Sequence, residues 1–185
     1  MQAPELRTDR LLLSKPELAD AGRIVELAND PVIAEFTLSV PHPYTEAAAI
    51  TWLAAINEGW AEDHAFSFAI RNPENGEMLG AVGLHISPKF GYAELGYWMG
   101  APYRGRGYAR EAVGAVIDFG FRHTDLVRIQ ANHRDDNPAS GRVLLANGLK
   151  LEGTLDDFII KDGNAWTVVQ YRILRREWQR SGSGT

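Results

Sequence analysis

Arg104-Gly105-Arg106-Gly107-Tyr108-Ala109 is the stretch on which the reading of this chain turns. Ahead of it, residues 92–99 read as a strand. Behind it, Ala109, Ala112, Val113, Val116, Ile117 and Gly120 fall on one stripe of a helix over residues 105–121. Glycines at a strand-to-helix junction let the backbone turn its N–H groups toward one point, and the new helix adds unsatisfied donors and its positive dipole end. Such a loop makes a cradle for a pyrophosphate, with Arg104 and Arg106 adding positive charge. The plainer reading is a tight turn that needs two glycines. The loop is not a Walker loop, because no Gly-Lys-Ser/Thr follows, and Arg110 breaks the Gly-x-Gly-x-x-Gly pattern.

Working outward, residues 6–13 read as a first strand. A helix follows Pro16, with Leu18, Ala21, Ile24, Val25, Leu27 and Ala28 at helical spacing, and Asn29-Asp30-Pro31 ends it. Residues 32–44 read as an irregular loop, and Thr45-Glu46 opens a second helix that runs to about Gly59. Residues 66–70 and 79–86 form a hairpin around a turn at 72–76, and a further turn at 88–91 leads into the strand before the glycine loop. Beyond the central helix come a buried strand at 127–131, a short helix over 138–147 capped by Asn137 and stopped by Gly148, and two closing strands, 149–158 and 166–174. The order β-α-α-β-β-β-α-β-α-β-β predicts one α/β domain over residues 1–180, with helices flanking a sheet of mixed strand direction. Residues 181–185, small and polar, read as a disordered tail.

Composition narrows the function. The chain has 185 residues, 45% of them hydrophobic, and a net charge of −5. Mild acidity argues against nucleic-acid binding, which normally needs a basic surface; it fits a cationic substrate. No cysteine is present, so disulfides, thiolate metal sites and a cysteine nucleophile are excluded. No basic start with an apolar signal core opens the sequence, and no apolar run approaches the ~20 residues that span a bilayer. A soluble cytoplasmic protein is the expectation. His42, His64, His85, His123 and His133 show no paired ligand spacing, which predicts no metal.

Several stretches together resemble the GNAT superfamily of N-acetyltransferases. Arg104, Gly107 and Ala109 occupy the fixed places of its Arg/Gln-x-x-Gly-x-Gly/Ala pattern. Residues 93–99 resemble its fourth strand, and Asn137-Pro138-Ala139-Ser140 with Asn147-Gly148-Leu149 resembles its Asn-x-x-Ser and Leu-Gly-Phe stretch. Thr8-Asp9-Arg10-Leu11-Leu12-Leu13 is similar to the opening of the RimJ/RimL subgroup, whose best-known members acetylate ribosomal-protein N-termini. Leu149 stands where Phe is usual, a volume-tolerant change, and Asp9 where Glu is common.

The resemblance implies a mixed, mostly antiparallel central sheet, acetyl-CoA as cosubstrate, and an amine acceptor, with a homodimer left open. It implies that the fourth and fifth strands splay and that the pantetheine arm lies between them, along Trp98 and Met99. Gly96 in mid-strand reads as the bulge that opens the sheet, and a backbone N–H near Met99 is placed to stabilise an oxyanion. The cofactor-binding set is then Trp98, Met99, Arg104, Gly105, Arg106, Gly107, Tyr108, Ala109 and Asn137, the last also capping its helix.

Without cysteine, acetyl passes directly from thioester to amine. Glu94 is the candidate base: strand alternation puts it on the face of Gly96 and Trp98, and the subgroup carries Glu there. A salt-bridged strand carboxylate is the alternative. Ser140 matches a subgroup serine assigned as the acid, or it is a helix-start hydroxyl. Asp156, Asp157 and Asp162 at the last hairpin either draw in an amine or form a solvated turn, and Phe36, His42 and Tyr44 lie on the loop that walls the acceptor groove in this family. A protein or peptide α-amine is the expected acceptor. A small amine (an antibiotic or a polyamine) and a non-catalytic acetyl-CoA-binding module are the alternatives.

Overall fold

The computed structural model describes residues 3–182. One sheet of eight strands forms the centre, in the order β1-β2-β3-β4-β5-β6-β8-β7. Its strands are β1 (Leu6–Arg7), β2 (Leu12–Ser14), β3 (Ala65–Arg71), β4 (Met78–Ser87), β5 (Tyr92–Met99), β6 (Arg128–Arg134), β7 (Lys150–Lys161) and β8 (Asn164–Leu174). Every neighbouring pair is antiparallel except β5 and β6. That exception follows from α4 (Tyr108–His123), which crosses over between them and returns the chain in the same direction. α5 (Pro138–Ala146) then carries the chain from β6 to β7. The mostly antiparallel α/β architecture expected from the sequence is the one observed.

Both faces of the inner strands are covered. β3 is buried along nearly its whole length, which explains its unbroken Ala-Phe-Ser-Phe-Ala-Ile run. Trp60 of α3 (Glu46–Ala61) sits edge-on to Phe66 and Phe68, and Phe119 of α4 joins them at 5.3 and 5.2 Å from the same two rings. A second apolar cluster joins Ile24 and Leu27 of α1 (Ala21–Ala28) with Leu53 of α3 and Ala69 and Ala81 of the sheet.

The structure corrects the sequence reading in four places. Residues 6–13 are two short strands folded on each other, because Thr8 N–H donates to Leu11 O and Leu11 N–H donates to Thr8 Oγ1, making a turn there. Within the expected loop lies α2 (Pro31–Phe36): Asp30 accepts from Val32 N–H as its cap and Pro31 occupies the first turn. A last helix, α6 (Arg175–Gly182), runs two residues into the stretch read as a tail, and residues 183–185 lie outside the described residues. Finally, the register between β4 and β5 runs unbroken through Gly83↔Gly96, so no bulge at Gly96 interrupts that ladder. Among the described residues, no helix is long and apolar enough to cross a membrane.

Candidate functional site

The sheet opens between β5 and β6. They pair only from Tyr92↔Arg128 to Glu94↔Gln130, while β6 stays with β8 as far as Arg134↔Val168 and β5 stays with β4 as far as Met99↔Gly80. The gap therefore begins just beyond Glu94. Gly100 N–H donates to Leu79 O at 2.9 Å, whereas Met99 O accepts from Arg104 Nε at 3.1 Å. Since backbone groups alternate sides along an antiparallel strand, Tyr97 and Met99 turn their N–H groups toward the gap. Trp98 turns its own toward β4 and contributes its side chain instead.

At the end of that gap sits the glycine loop. Gly105 and Gly107 have φ of 74° and 80°, conformations costly for other residues. Gly107 is the N-cap of α4 and offers no side-chain oxygen, so the first-turn N–H groups have no side-chain cap. The loop is held from behind by the β1–β2 turn. Thr8 Oγ1 donates to Glu111 Oε1 at 2.5 Å, Arg10 N–H and Nε donate to the same carboxylate at 2.8 Å each, and Arg10 Nη1 reaches Arg106 O at 3.0 Å. Burial pushes the Glu111 carboxyl up, but these bonds outweigh it and hold the group below its ordinary value. Arg10 also lies over the Tyr108 ring, at 5.0 Å.

One cavity of about 880 Å³ joins the gap to the loop. It brings together Glu94, Trp98, Met99, Arg104, Gly105, Gly107, Tyr108, Ala109, Asn137 and Ser140 from the sequence reading. Two of the expected cations are placed differently. Arg104 lines the cavity, but its guanidinium is bonded to Asp30 at 2.6 Å and to Met99 O, so it braces α2 against β5. The Arg106 side chain is exposed and is not among the lining residues; what it contributes is the carbonyl that Arg10 grips. Arg110 and Arg142 do line the cavity. Neither belongs to the cofactor-binding set expected from the sequence.

Glu94 is fixed by two amides: Gln130 Nε2 donates to Oε2 at 2.9 Å and Asn132 Nδ2 to Oε1 at 3.0 Å. Its carboxyl is raised above its ordinary value, because burial outweighs the Gln130 bond and the charge of Arg128. Three residues along and hence on the opposite sheet face, Tyr97 meets Ser140, with the two hydroxyl oxygens 2.6 Å apart. Burial pushes the Tyr97 phenol up to about 12, against the Ser140 bond that lowers it, so it keeps its proton at neutral pH. Asn137 caps α5 by accepting from Ser140 N–H. The Tyr97–Ser140 pair is the arrangement that sequence reasoning missed.

The other polar candidates separate. Asp156, Asp157 and Asp162 are exposed around the β7–β8 hairpin. Asp157 and Asp162 have positive φ and serve its local geometry. Phe36 lines the main cavity under the Arg134 guanidinium, 4.6 Å from its ring centroid. His42 lines a smaller neighbouring cavity. Tyr44, expected in the groove wall, is instead buried in the second apolar cluster. His133 is buried beside Tyr171, its Nδ1 2.7 Å from Arg134 O.

Comparison with known proteins matches residues 10–150 to the acetyltransferase (GNAT) domain. An uncharacterised N-acetyltransferase of Bacillus licheniformis is 33% identical over 175 residues, covering 94% of this chain and 97% of that protein. The ribosomal protein uS5-alanine N-acetyltransferase of Escherichia coli is 32% identical over 128 residues, covering 68% of this chain and 66% of its own. Among solved structures, the ribosomal L7/L12 α-N-protein acetyltransferase RimL in complex with coenzyme A superposes with a TM-score of 0.84 at 19% identity, covering 92% of this chain and 98% of that one.

Proposed function

The chain belongs to the GNAT acetyltransferase family, and on that premise we propose that it transfers acetyl from acetyl-CoA to the α-amine of a protein or peptide N-terminus. That it is an acetyl-CoA-dependent N-acetyltransferase follows from the family and the relatives. The acceptor and the residue roles are our reading.

One observation carries it. Among the described residues, Glu94 is the one carboxylate that lines the cavity. A polyamine or an aminoglycoside brings several positive charges and calls for several carboxylates, whereas an α-amine brings one. Deprotonation points the same way. An α-amine has a pKa of ~8 and a lysine side chain ~10.4, a difference worth roughly 3 kcal/mol at neutral pH. A single carboxylate base suits the easier of the two. The uS5-alanine enzyme of Escherichia coli, as its name states, acts on an alanine of a ribosomal protein, which supports the same class of acceptor.

In the proposed mechanism, the first-turn N–H groups of α4 and the loop at Gly105 and Gly107 hold the pyrophosphate, and the N–H of Tyr97 binds along the pantetheine arm. Asn137 bonds the arm's amide while capping α5. Glu94 takes the amine proton, directly or through a water, as nitrogen attacks the thioester carbon. Met99 N–H stabilises the oxyanion that develops. As the C–S bond breaks, Ser140 Oγ–H gives its proton to the departing sulfur while the Tyr97 hydroxyl donates to Ser140 Oγ through their short hydrogen bond; solvent then returns one proton to this pair and takes the amine proton from Glu94. Base and acid lie on opposite faces of β5, which keeps the incoming amine and the outgoing thiol apart.

The test is kcat/KM for matched peptides with free and with acetyl-blocked N-termini, beside spermidine and an aminoglycoside. The free N-terminus should dominate. Equal rates on the blocked peptides, or a tenfold advantage for a small amine, would refute the reading.

A further inference from the structure

Gly83 and Gly96 face each other across β4 and β5. Residues directly opposite in an antiparallel pair share a sheet face, as do residues two apart along a strand. The same face therefore carries His85↔Glu94 on one side of the glycines and Ala81↔Trp98 on the other. Between the carboxylate and the indole, positions four residues apart on β5, lies a stretch of about 13 Å with no side chain at all.

The two glycines have different reasons to be glycine. A Cβ on Gly83 would stand 2.9 Å from both Phe66 O and Ser67 Oγ, so packing against β3 demands its absence. A Cβ on Gly96 would meet nothing within 4 Å. Its backbone lies in an ordinary strand with no positive φ, and the ladder there is regular. A mid-strand glycine costs stability without helping the fold, and at such a position its usual meaning is that something else approaches the backbone. Gly96 is exposed to the cavity and lines it together with Gly83, Glu94 and Trp98.

Apart from Ser67 and the His85–Glu94 end, the surface around this recess is apolar. Trp52 and Trp98 each pack against the second core cluster and line the cavity, as do Phe36, Leu38 and Val40 from α2 and the segment after it. Glu94 is already assigned the amine. A second positive charge on the acceptor would find no carboxylate partner among the described lining residues, and a negative one would meet Arg134 and Arg104 already paired, with Glu35 and Asp136 and with Asp30; either would lose its water.

We propose that the recess floored by Gly83 and Gly96 holds the side chain of the acceptor's first residue, and that it selects an apolar, uncharged one. This rests on the N-terminal α-amine reading and specifies it. With the amine at Glu94, the first side chain lies over Gly96 and points toward Trp98.

The experiment compares peptides that begin with Leu, Met, Gly, Asp or Lys and are otherwise identical, using the wild-type protein, Gly96→Ala and Gly96→Val. Wild type should favour Leu or Met over Asp or Lys by roughly tenfold or more in kcat/KM, the scale that a hydrophobic pocket supplies. Gly96→Val should lower the Leu-to-Gly ratio by about tenfold, with Gly96→Ala between, because the added methyls occupy the recess. Acetyl-CoA affinity by calorimetry should hold, since the Gly96 side-chain direction leaves the strand at right angles to the gap. Turnover without first-residue preference, a ratio unmoved in both variants, or a loss of acetyl-CoA affinity overturns the inference while leaving the α-amine reading in place. Failure of every free N-terminus to react overturns both.

Discussion

Arg10 and Glu111 are 101 positions apart in the chain, yet one carboxylate accepts from both the backbone and the guanidinium of the same arginine. The remaining arm of that guanidinium takes Arg106 O. Pulling this carbonyl backward leaves the loop's N–H side free to face the cavity, so the Thr8-Asp9-Arg10 turn shapes from outside the loop that is proposed to cradle phosphate. The Arg10 side chain is half exposed, and its net contribution is accordingly about 1 kcal/mol. Arg10→Ala should raise KM and Kd for acetyl-CoA about threefold to tenfold and leave kcat within a factor of two, a scale set by that 1 kcal/mol. Arg10→Lys should recover little, because lysine cannot bridge carboxylate and carbonyl with a planar fork. A fall in kcat at unchanged KM would place Arg10 outside the cradle's support.

Gly107 has a φ of 80° at the start of α4, and the proposed pyrophosphate site adds a second demand, room for an anion. Asn tolerates that backbone region better than most residues, whereas Glu adds backbone strain of about 1–2 kcal/mol and a carboxylate in the cradle. Gly107→Asn should bind acetyl-CoA more weakly, and Gly107→Glu should show no calorimetric binding while its circular dichroism stays native. Wild-type affinity in folded Gly107→Glu would move the pyrophosphate elsewhere.

These two positions show what could be read in advance. Apart from the divided first strand, α2 and α6, the element order follows from local periodicity, and the glycine loop from residue types at fixed spacing. Pro31 was read as a helix end, when with Asp30 as cap it begins α2; the same residue serves either purpose and only the partners of Asp30 decide. Arg104 was expected to face phosphate because it is a cation near the loop, but charge says nothing of direction, and Asp30 claims it. Tyr44 illustrates the same limit, a loop aromatic taken for a groove wall that turns into the core. Arg10–Glu111 and Tyr97–Ser140 are pairs made by tertiary folding, 101 and 43 positions apart, and leave no local pattern.

Tyr97 and Ser140 give the third prediction. The thiolate of coenzyme A has a parent pKa near ~8.5, so a proton donor aids its departure without being indispensable. Ser140→Ala should lower kcat about tenfold at pH 7, less than the roughly hundredfold or more of a general acid on a poorer leaving group, because the thiolate leaves readily by itself. The deficit should shrink above the thiol pKa, where the thiolate leaves unprotonated. Tyr97→Phe removes the hydroxyl behind Ser140, and the double variant should be no slower than Ser140→Ala alone. Additive losses would mean that the two hydroxyls act separately. A deficit that grows with pH would remove Ser140 from the acid role.

As the proposed base, Glu94 should set the acid limb of the pH–rate profile. A base must be ionised to act, and burial raises this carboxyl above its ordinary value despite the Gln130 bond and the Arg128 charge. As pH falls, Glu94 therefore takes up its proton earlier than a solvent-exposed glutamate, and kcat/KM should begin to drop above the usual carboxylate range. The acceptor's own ammonium also suppresses the rate at low pH, and an N-terminal amine of pKa ~8 alone gives a slope of one in log kcat/KM below that value. Wild type should thus show a slope of one that steepens toward two once Glu94 protonates. Glu94→Gln keeps the shape of the side chain but cannot be ionised. Its kcat should fall by about a hundredfold, within the usual range for a removed general base, and the second break should vanish from its profile. Acetyl-CoA affinity should stay near wild type, because the carboxylate lies at the closed end of the gap and touches Gln130 and Asn132 rather than the loop at Gly107. A variant that retains the steep limb would show that the break belongs to another group and that Glu94 only ties β5 to β6.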